Sequence, residues 1–558
     1  MRDHNAVYRA WLESAHLDAS SRSELEAIGA DPAEIADRFY CDLEFGTAGM
    51  RGVLGAGSNR MNVYTVRKAT LGYARYLKKY VGESATVRGV VIAHDNRRMS
   101  REFCMETAGV LAAEGIKAYI FDDLRPTPEL SFAVRYCHAV GGVMITASHN
   151  PPEYNGYKLY DEHGCQLQPS VTDVLTQMIA EIEDPLSICA LEKEEAGGLI
   201  RELCSDVDEA YYRAVFDIRL QKVDAASLSV VYSPQHGTGN VPVREVLRRA
   251  GYHVIPVEEQ CFPDKDFINT KSPNPENKEA YEMAMEYVRR EGADVAITTD
   301  PDCDRLGVIA KKGGDYALLT GNQSGAILLQ YILSCREKMG TLPQNAAMCN
   351  TIVTSTLGDR VCESFGVAVQ KTLTGFKFIG DKIREWEETG EKSYVFGYEE
   401  SYGCLIADFA RDKDGVQAAL MLCEAAAYYK SQGKSLWDVL EELYLVHGYF
   451  LDAVTALTLT GAEGAQKIRE MMADLRRDPP TKAGEIDVVC FEDYLTPEMQ
   501  KKGFGKSDAL RFVMEDGSFV AVRPSGTEPK CKYYYCVVGA NAADAERKHA
   551  LLRKTFER

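Results

Sequence analysis

The sequence predicts an α/β protein: three similar mixed α/β domains followed by a smaller α+β domain. Three observations carry this reading. The chain has 558 residues, too many for one core, since domains run to roughly 100–200 residues. Short apolar runs alternate with amphipathic helical stretches, and this alternation recurs about three times over roughly the first 440 residues, without a clean sequence repeat. From about Val454 the pattern changes to a helix, a β-rich stretch and a last helix.

The elements follow in order. "MRDHNAVYRAWLESAHLDAS" is polar and helix-like, and lacks the apolar core of a secretory signal. "VRGVVIAHD" reads as a strand over 87–95, "SREFCMETAGVLAAEG" as a helix over 100–115 and "IKAYIFDD" as a strand over 116–123. "LSVVYSPQHGTGN", the helix "VPVREVLRRAG" and "YHVIPVEE" repeat the theme, and "GADVAITTDPDCDR" adds a strand that ends in acid. Beyond Val454, "GAEGAQKIREMMADLRRDPP" reads as a helix and "SFVAVRPSGTEPKCKYYYCVVG" as strands.

Apolar residues make up 45% of the chain and charged residues 26%, a globular balance. No window reaches the ~18 uninterrupted apolar residues of a membrane span, so a cytoplasmic address is the default expectation. Sixteen cysteines stand singly, with no CxxC pair, and read as buried thiols rather than disulfides or zinc ligands. The net charge of −19 argues against a nucleic-acid or membrane binder. It leaves room for an anionic small substrate, because a local cluster of Arg and Lys reverses the field inside one cleft.

Four stretches share one form: an apolar run that ends in polar residues. In "TASHNPPEYNGYKLY", residues 146–160, Thr146, Ser148, His149 and Asn150 crowd one turn, with Lys158 and three tyrosines behind. A turn needs only one or two such residues. Gly141-Gly142 ahead of the strand and Pro151-Pro152 after its tip are expected to hold the turn rigid. No GxSxG elbow and no His/Asp partner marks Ser148 as a hydrolase nucleophile.

In "AITTDPDCDRLG", Asp300, Asp302 and Asp304 fall at i, i+2 and i+4, which turns three carboxylates to one side of an extended loop. A hard divalent cation wants that arrangement, and three protein carboxylates leave coordination positions open for a substrate oxygen. An EF-hand is excluded by Arg305 where Gly is needed and Lys311 where Glu is needed. Arg305 reads as a phosphate or carboxylate fork. "VFGYEESYGCLIADFARDKDG" places Glu399, Glu400 and Ser401 between Gly397 and Gly403, good acceptors for sugar hydroxyls or else a solvated acidic loop. "RPSGTEPK", 523–530, offers Arg523, Ser525, Gly526 and Thr527 as an anion-binding turn, with Lys530 and Lys532 adding charge. "FGTAGMRGVLGAGSNRMN" brings Arg51 but is no Rossmann fingerprint, because Arg60 stands at the third glycine. "GFKFIGDK" is no P-loop, because Asp381 stands where the lysine should. Arg97, Arg98 and Arg125 read as structural ion pairs.

Together "TASHNP", "DPDCDR", "GYEESYG" and "RPSGTEPK", in that order, resemble the α-D-phosphohexomutase family. "FGTAGMRG", "PNPE", "LTGFKFIG" and "DKDG" also fit, so the match covers nearly the whole chain. The resemblance implies four domains around a central cleft. We expect boundaries at 1–205 with a phosphoserine loop, 206–320 with a metal loop, 321–453 with a sugar-recognition loop and 454–558 with a phosphate-binding loop. It implies a phosphoryl group carried on Ser148, beside His149, and Mg²⁺ held by Asp300, Asp302, Asp304 and a phosphoserine oxygen. It casts Arg51 and Lys158 as acid–base or charge-stabilising groups. Glu399 and Ser401 would read sugar hydroxyls. Arg305, Thr374, Gly375, Lys377 and Lys413 would line the sugar and phosphate pocket. Arg523, Ser525, Gly526, Thr527 and Lys532 would grip the phosphate that is not reacting.

The implied reaction interconverts glucose 1-phosphate and glucose 6-phosphate through glucose 1,6-bisphosphate, on a sugar monophosphate and with no nucleic-acid or membrane partner. Monomer and dimer both stay open. Mannose or pentose phosphates are the rival substrates within the family. A metal-dependent sugar phosphatase would use the same serine and acidic triplet but would not need "RPSGTEPK". A silent sugar-phosphate sensor would have lost Ser148 or a metal carboxylate, and all are present.

Overall fold

The computed structural model describes residues 3–46, 49–525 and 530–557. The chain divides into two compact units. The first comprises Met1–Arg219, Ala225–Gly307 and Leu405–Cys423; the second comprises Leu220–Asp224, Val308–Cys404 and Glu424–Arg558.

The first unit opens with short helices His4–Glu13, Ala19–Ala27 and Pro32–Phe39, packed around Trp11, Leu25, Ile35 and Phe39. A seven-stranded sheet follows. Its strands are β1 (Phe45–Gly46), β2 (Gly49–Val53), β3 (Val90–His94), β4 (Ala118–Ile120), β5 (Gly141–Ile145), β6 (Tyr154–Asp161) and β7 (Ile200–Glu202). The order is β1-β2-β6-β5-β3-β4-β7. β3 lies parallel to β4 and β5, while β6 runs antiparallel between β5 and β2. β3 and β5 are buried at every position, as expected where helices cover both faces of a sheet. The expected strands 87–95 and 116–123 are shorter, because a helical turn Glu83–Arg88 runs up to β3 and loops flank β4.

Gly141 and Gly142 lie inside β5 rather than ahead of it. They serve packing: a Cβ on Gly142 would stand 2.7 Å from Val134 Cγ2 of the helix Thr127–Tyr136.

Still in the first unit, β8 (Ser229–Ser233), β9 (His253–Pro256) and β10 (Val295–Thr299) form a parallel group with β8 in the middle. β10 is buried throughout and ends at Thr299, immediately before Asp300. The strands β11 (Leu306–Lys312) and β12 (Asp315–Leu319) form an antiparallel ribbon.

In the second unit β13 (Ala346–Thr351), β14 (Ala368–Thr372), β15 (Ser393–Tyr398) and β16 (Cys404–Leu405) make a four-stranded sheet ordered β14-β13-β15-β16. The helix Gly321–Met339 precedes it, closed at its start by a capping box between Thr320 and Gln323. The last sheet is antiparallel, made of β17 (Tyr449–Thr458), β18 (Lys482–Ala483), β19 (Ile486–Asp493), β20 (Leu510–Met514), β21 (Phe519–Pro524) and β22 (Lys530–Gly539). Helices Gly461–Arg477 and Ala542–Phe556 bury Ile468, Met472, Leu552 and Phe556 against it. This is the α+β domain expected from Val454 onward, entered five residues earlier.

All sixteen cysteines are free, and Cys189, Cys204 and Cys490 are exposed, so the reading of every cysteine as a buried thiol is too broad. Among the described residues no helix is long and apolar enough to cross a membrane.

Asp452 on β17 supplies a stability test. Its Oδ1 is buried without a hydrogen-bond partner among the described residues, and burial pushes the carboxyl up to about 6 against donors Ser355, Cys536 and Asn322. The folded state then binds more protons than the unfolded state between about pH 4 and 6. Stability is therefore expected to fall as pH rises through that window. Asp452→Asn is expected to flatten this slope and to gain about 1.4 kcal/mol over the parent at pH 7.5 relative to pH 5, read by urea unfolding at both pH values.

Candidate active site

Strand register builds the site. β5 ends at Ile145, and Thr146 to Asn150 form the turn that leads to β6. Arg51 on β2 pairs with Gly156 on β6, and Lys158 follows two residues later on the same face. A Cβ on Gly156 would lie 2.5 Å from the Thr146 carbonyl, which explains the glycine of "YNGYK". Arg51 and Lys158 thus stand beside the serine turn, on separate strands of one sheet.

Ser148 is buried and holds a left-handed backbone, φ +54°. For a residue with a Cβ that conformation is uncommon and costs energy, so the surroundings must impose it. Its N–H donates to Thr146 Oγ1 at 2.8 Å, and its own Oγ donates to Asp300 Oδ2 at 3.2 Å. His149 Nδ1 lies 3.1 Å from the same Oγ. Burial, then the cations of Arg305 and Arg51, holds the imidazole well below its usual pKa, so it is neutral at pH 7.

Asp300, Asp302 and Asp304 are all buried, and one carboxylate oxygen from each lies within 4.8 Å of the others. Asp300 Oδ1 accepts from the N–H groups of Asp304 and Arg305, both at 3.1 Å, which fixes the loop. Lys158 Nζ pairs with Asp302 at 2.8 Å, and Lys413 Nζ with Asp304 at 2.9 Å. Burial, then the charges of Asp302 and Asp304, pushes Asp300 well above the usual carboxylate range. Burial also opposes charge on Asp302, but Lys158 and Lys413 hold it down. Asp302 Oδ1 and Asp304 Oδ1 are buried without a hydrogen-bond partner among the described residues. Three carboxylates with converging oxygens, two of which each carry a buried oxygen without a hydrogen-bond partner, fit a hard divalent cation. Arg305 reaches toward the same loop and pairs with Glu276 at 2.9 Å.

Two contributors escaped the sequence. Thr127 caps the metal loop twice: its N–H donates to the Asp302 carbonyl and its hydroxyl to Asp302 Oδ2, both at 3.0 Å. Asp95 accepts from the Thr146 hydroxyl at 2.6 Å. No local pattern marks either one, since each partner lies at least fifty residues away.

The remaining expected residues belong to the second unit. Glu399 Oε1 accepts from the Gly375 N–H at 2.9 Å, which ties the loop after β15 to the turn that opens the helix Phe376–Thr389. Lys377 is buried in the first turn of that helix, and Thr374 Oγ1 is buried without a hydrogen-bond partner among the described residues. Ser401 follows in the turn after Glu400. Glu400 does not act beside Glu399: it accepts from Thr351 Oγ1 at 3.2 Å and Thr354 Oγ1 at 3.1 Å. Arg523 and Lys532 sit directly opposite each other on β21 and β22, and Ser525 N–H bonds the Lys530 carbonyl at 2.7 Å. Like charges facing across a ladder repel, an arrangement that suits an anion-binding end. Gly526 and Thr527 lie outside the described residues.

Four domain profiles match this chain in order. They are the phosphoglucomutase/phosphomannomutase alpha/beta/alpha domains I, II and III, over residues 42–185, 209–314 and 320–446, and the C-terminal domain over 465–556. The chain belongs to the phosphoglucomutase/phosphomannomutase family. As a member it is a mutase, an isomerase that moves a phosphoryl group within a sugar phosphate, and it uses a metal ion. A Staphylococcus aureus protein named phosphoglucomutase (strain bovine RF122 / ET3-1) is 37% identical over 548 residues, covering 96% of this chain and 97% of that one. Solved structures share the fold. Parafusin, a phosphoglucomutase of Paramecium, superimposes with a TM-score of 0.72 at 18% identity, over 93% of this chain and 95% of that one. A phosphoglucomutase/phosphomannomutase family protein of Burkholderia thailandensis gives 0.69 at 19%, over 92% and 96%.

Proposed function

We propose that the chain interconverts glucose 1-phosphate and glucose 6-phosphate, with Ser148 as phosphoryl carrier and glucose 1,6-bisphosphate as intermediate. The observation that carries this is Ser148 Oγ placed 3.2 Å from Asp300 Oδ2, in a buried turn beside three converging carboxylates. The glucose assignment leans on the Staphylococcus relative's name.

In the first half-reaction the bond between phosphorus and Ser148 Oγ breaks. A new bond forms to the oxygen of the free hydroxyl of the sugar monophosphate, whose O–H bond breaks; its proton leaves through the acid–base pair assigned to Arg51 and Lys158, and the released Ser148 oxygen gains one. In the second, the other phosphate of the bisphosphate returns to Ser148 Oγ. Phosphoryl transfer needs in-line positioning and neutralisation of the equatorial oxygens more than covalent help. Mg²⁺ held by Asp300, Asp302 and Asp304 would supply most of that charge. Arg51 and Lys158 add to it, and the pairing of Lys158 with Asp302 suits a charge-neutralising role. With the Ser148 hydroxyl donating to Asp300, the neutral His149 ring, as its Nδ1–H tautomer, donates to the Ser148 oxygen and orients it in the dephosphorylated state. We assign Glu399 and Ser401 to sugar hydroxyls, and Arg305, Thr374, Gly375, Lys377 and Lys413 to the sugar and phosphate lining. Arg523, Ser525, Gly526, Thr527 and Lys532 are assigned to the non-reacting phosphate. Water must stay out while the bisphosphate turns over, or the enzyme becomes a phosphatase.

The test incubates the protein with Mg²⁺, catalytic bisphosphate and either glucose, mannose or ribose 1-phosphate, reading isomerised ester against free phosphate. Fastest conversion of the glucose ester is expected. Faster conversion of the mannose or ribose ester would move the substrate and keep the mechanism. Free phosphate as main product would overturn the mutase assignment.

A further inference from the structure

We propose that Arg97 is the positioning residue that sets the Ser148 nucleophile, an inference that rests on reading Ser148 as the phosphoryl carrier. Arg97 comes from the loop after β3, and its side chain is fully buried. Its guanidinium donates to four main-chain carbonyls of the serine turn. Nη2 reaches Ser148 O at 2.6 Å and Asn150 O at 2.5 Å; Nη1 reaches Pro151 O at 2.8 Å and Tyr154 O at 3.1 Å. The first three of those carbonyls lie in the segment that joins β5 to β6, and the fourth is on the first residue of β6.

The guanidinium is itself held by two groups, an acid at its Nε and an aromatic ring on its face. Asp95 Oδ2 lies 3.2 Å from its Nε, and Asp95 Oδ1 accepts from the Arg97 N–H at 3.0 Å and the Ser100 hydroxyl at 2.7 Å. Phe267 is buried and covers one face, 5.1 Å from ring centre to guanidinium carbon. The neighbours on either side of Arg97 hold the same segment: Asn96 Nδ2 donates to the Asp264 carbonyl at 2.8 Å, and Arg98 pairs with Asp266.

Asp95 also works on the serine from the other direction. Its Oδ2 takes the Thr146 hydroxyl proton, which turns a Thr146 lone pair toward the Ser148 N–H. The turn is thus fixed at its N–H by Asp95 through Thr146, and at its carbonyls by Arg97. Between them lies the one residue held at positive φ, Ser148. A buried carbonyl that loses its donor is expensive, so the left-handed conformation persists because four carbonyls are satisfied only in it. The expected ion-pair role of Arg97 is therefore the smaller part of what it does. Only a planar fork with several donors spans this geometry; a lysine ammonium is a point charge with three.

The test measures kcat and KM for glucose 1-phosphate, thermal midpoint and the phosphorus NMR resonance of phospho-Ser148. The variants are Arg97→Lys, Arg97→Gly with and without added guanidinium, Thr146→Val and Ser148→Ala. Misplacing a reacting group by about 1 Å costs roughly 10²-fold in rate. For Arg97→Lys we expect kcat to fall about 100-fold with KM within about threefold, and the resonance to shift or broaden. Guanidinium should restore at least about tenfold of the activity lost by Arg97→Gly. Wild-type kcat and an unchanged resonance in Arg97→Lys, with only a lower midpoint, would overturn the proposal. If the Arg97 variants do not fold, Thr146→Val decides: a kcat loss of about tenfold at constant KM supports it, and no loss overturns it. An active Ser148→Ala would instead refute the carrier assignment itself. An inactive Ser148→Ala beside a fully active Arg97→Lys would sink only the Arg97 claim.

Discussion

Ser148→Ala is expected to lower kcat by at least about 10⁴-fold, because removing a nucleophile leaves only binding and electrostatics to accelerate the reaction. The fold should survive. Ser148 is held in its turn by Thr146 and Arg97, whose bonds run to the Ser148 N–H and carbonyl and not to its hydroxyl. The lost contacts are the hydroxyl's bonds to Asp300 and His149. A thermal midpoint within a few degrees of wild type should therefore accompany the dead enzyme. The variant should also fail to take up label from radioactive glucose 1,6-bisphosphate, whereas the parent becomes labelled. Residual mutase activity above about 1% of wild type would move the phosphoryl carrier to another residue.

Asp300→Asn should separate metal binding from folding. The amide keeps an oxygen to accept the Asp304 and Arg305 N–H groups. It removes one of three buried negative charges that repel in the absence of a cation. We expect activity to fall at least about 10³-fold, since a ligand for the charge-neutralising ion is lost. In the metal-free protein we expect no loss of thermal stability, and a gain if repulsion dominates. Wild type should gain stability on adding Mg²⁺, by about 2.7 kcal/mol at a hundred times its dissociation constant, and the variant should not. EDTA should silence wild type reversibly. A variant that loses stability without metal, or that keeps a full Mg²⁺ response, would remove Asp300 from the ion site.

The site was legible where chemistry and local sequence coincide. A buried strand that stops in "TASHN" or "DPDCD" reads as a site because polar side chains at a strand tip have no packing reason to cluster there. The three carboxylates need no partner from elsewhere to declare themselves, and the structure brings them together as their spacing implied. Arg97 and Thr127 were not legible, because what each does depends on the parallel pairing of β3 with β5 and on a helix start meeting a loop 175 residues onward. Glu400 misled for the same reason: two adjacent acids look alike in sequence, and only their opposite facing separates Glu399 from its neighbour. The fold class came through because helix and strand periodicities differ in kind. Strand ends did not. β6, with Tyr154, Asn155 and Lys158, has too polar a composition to announce itself, although it is buried along most of its length. Its tyrosines pay their way by reaching partners, as Tyr160 does at Asp412, 2.8 Å away.

Arg523 facing Lys532 gives the last hairpin a mechanical property. Two facing cations cost the β21–β22 pairing some stability, although the strands stay paired as far as Pro524 and Cys531. If the phosphate proposed for this end binds there, it cancels that cost, and resistance of these strands to proteases is expected to rise with sugar-phosphate concentration.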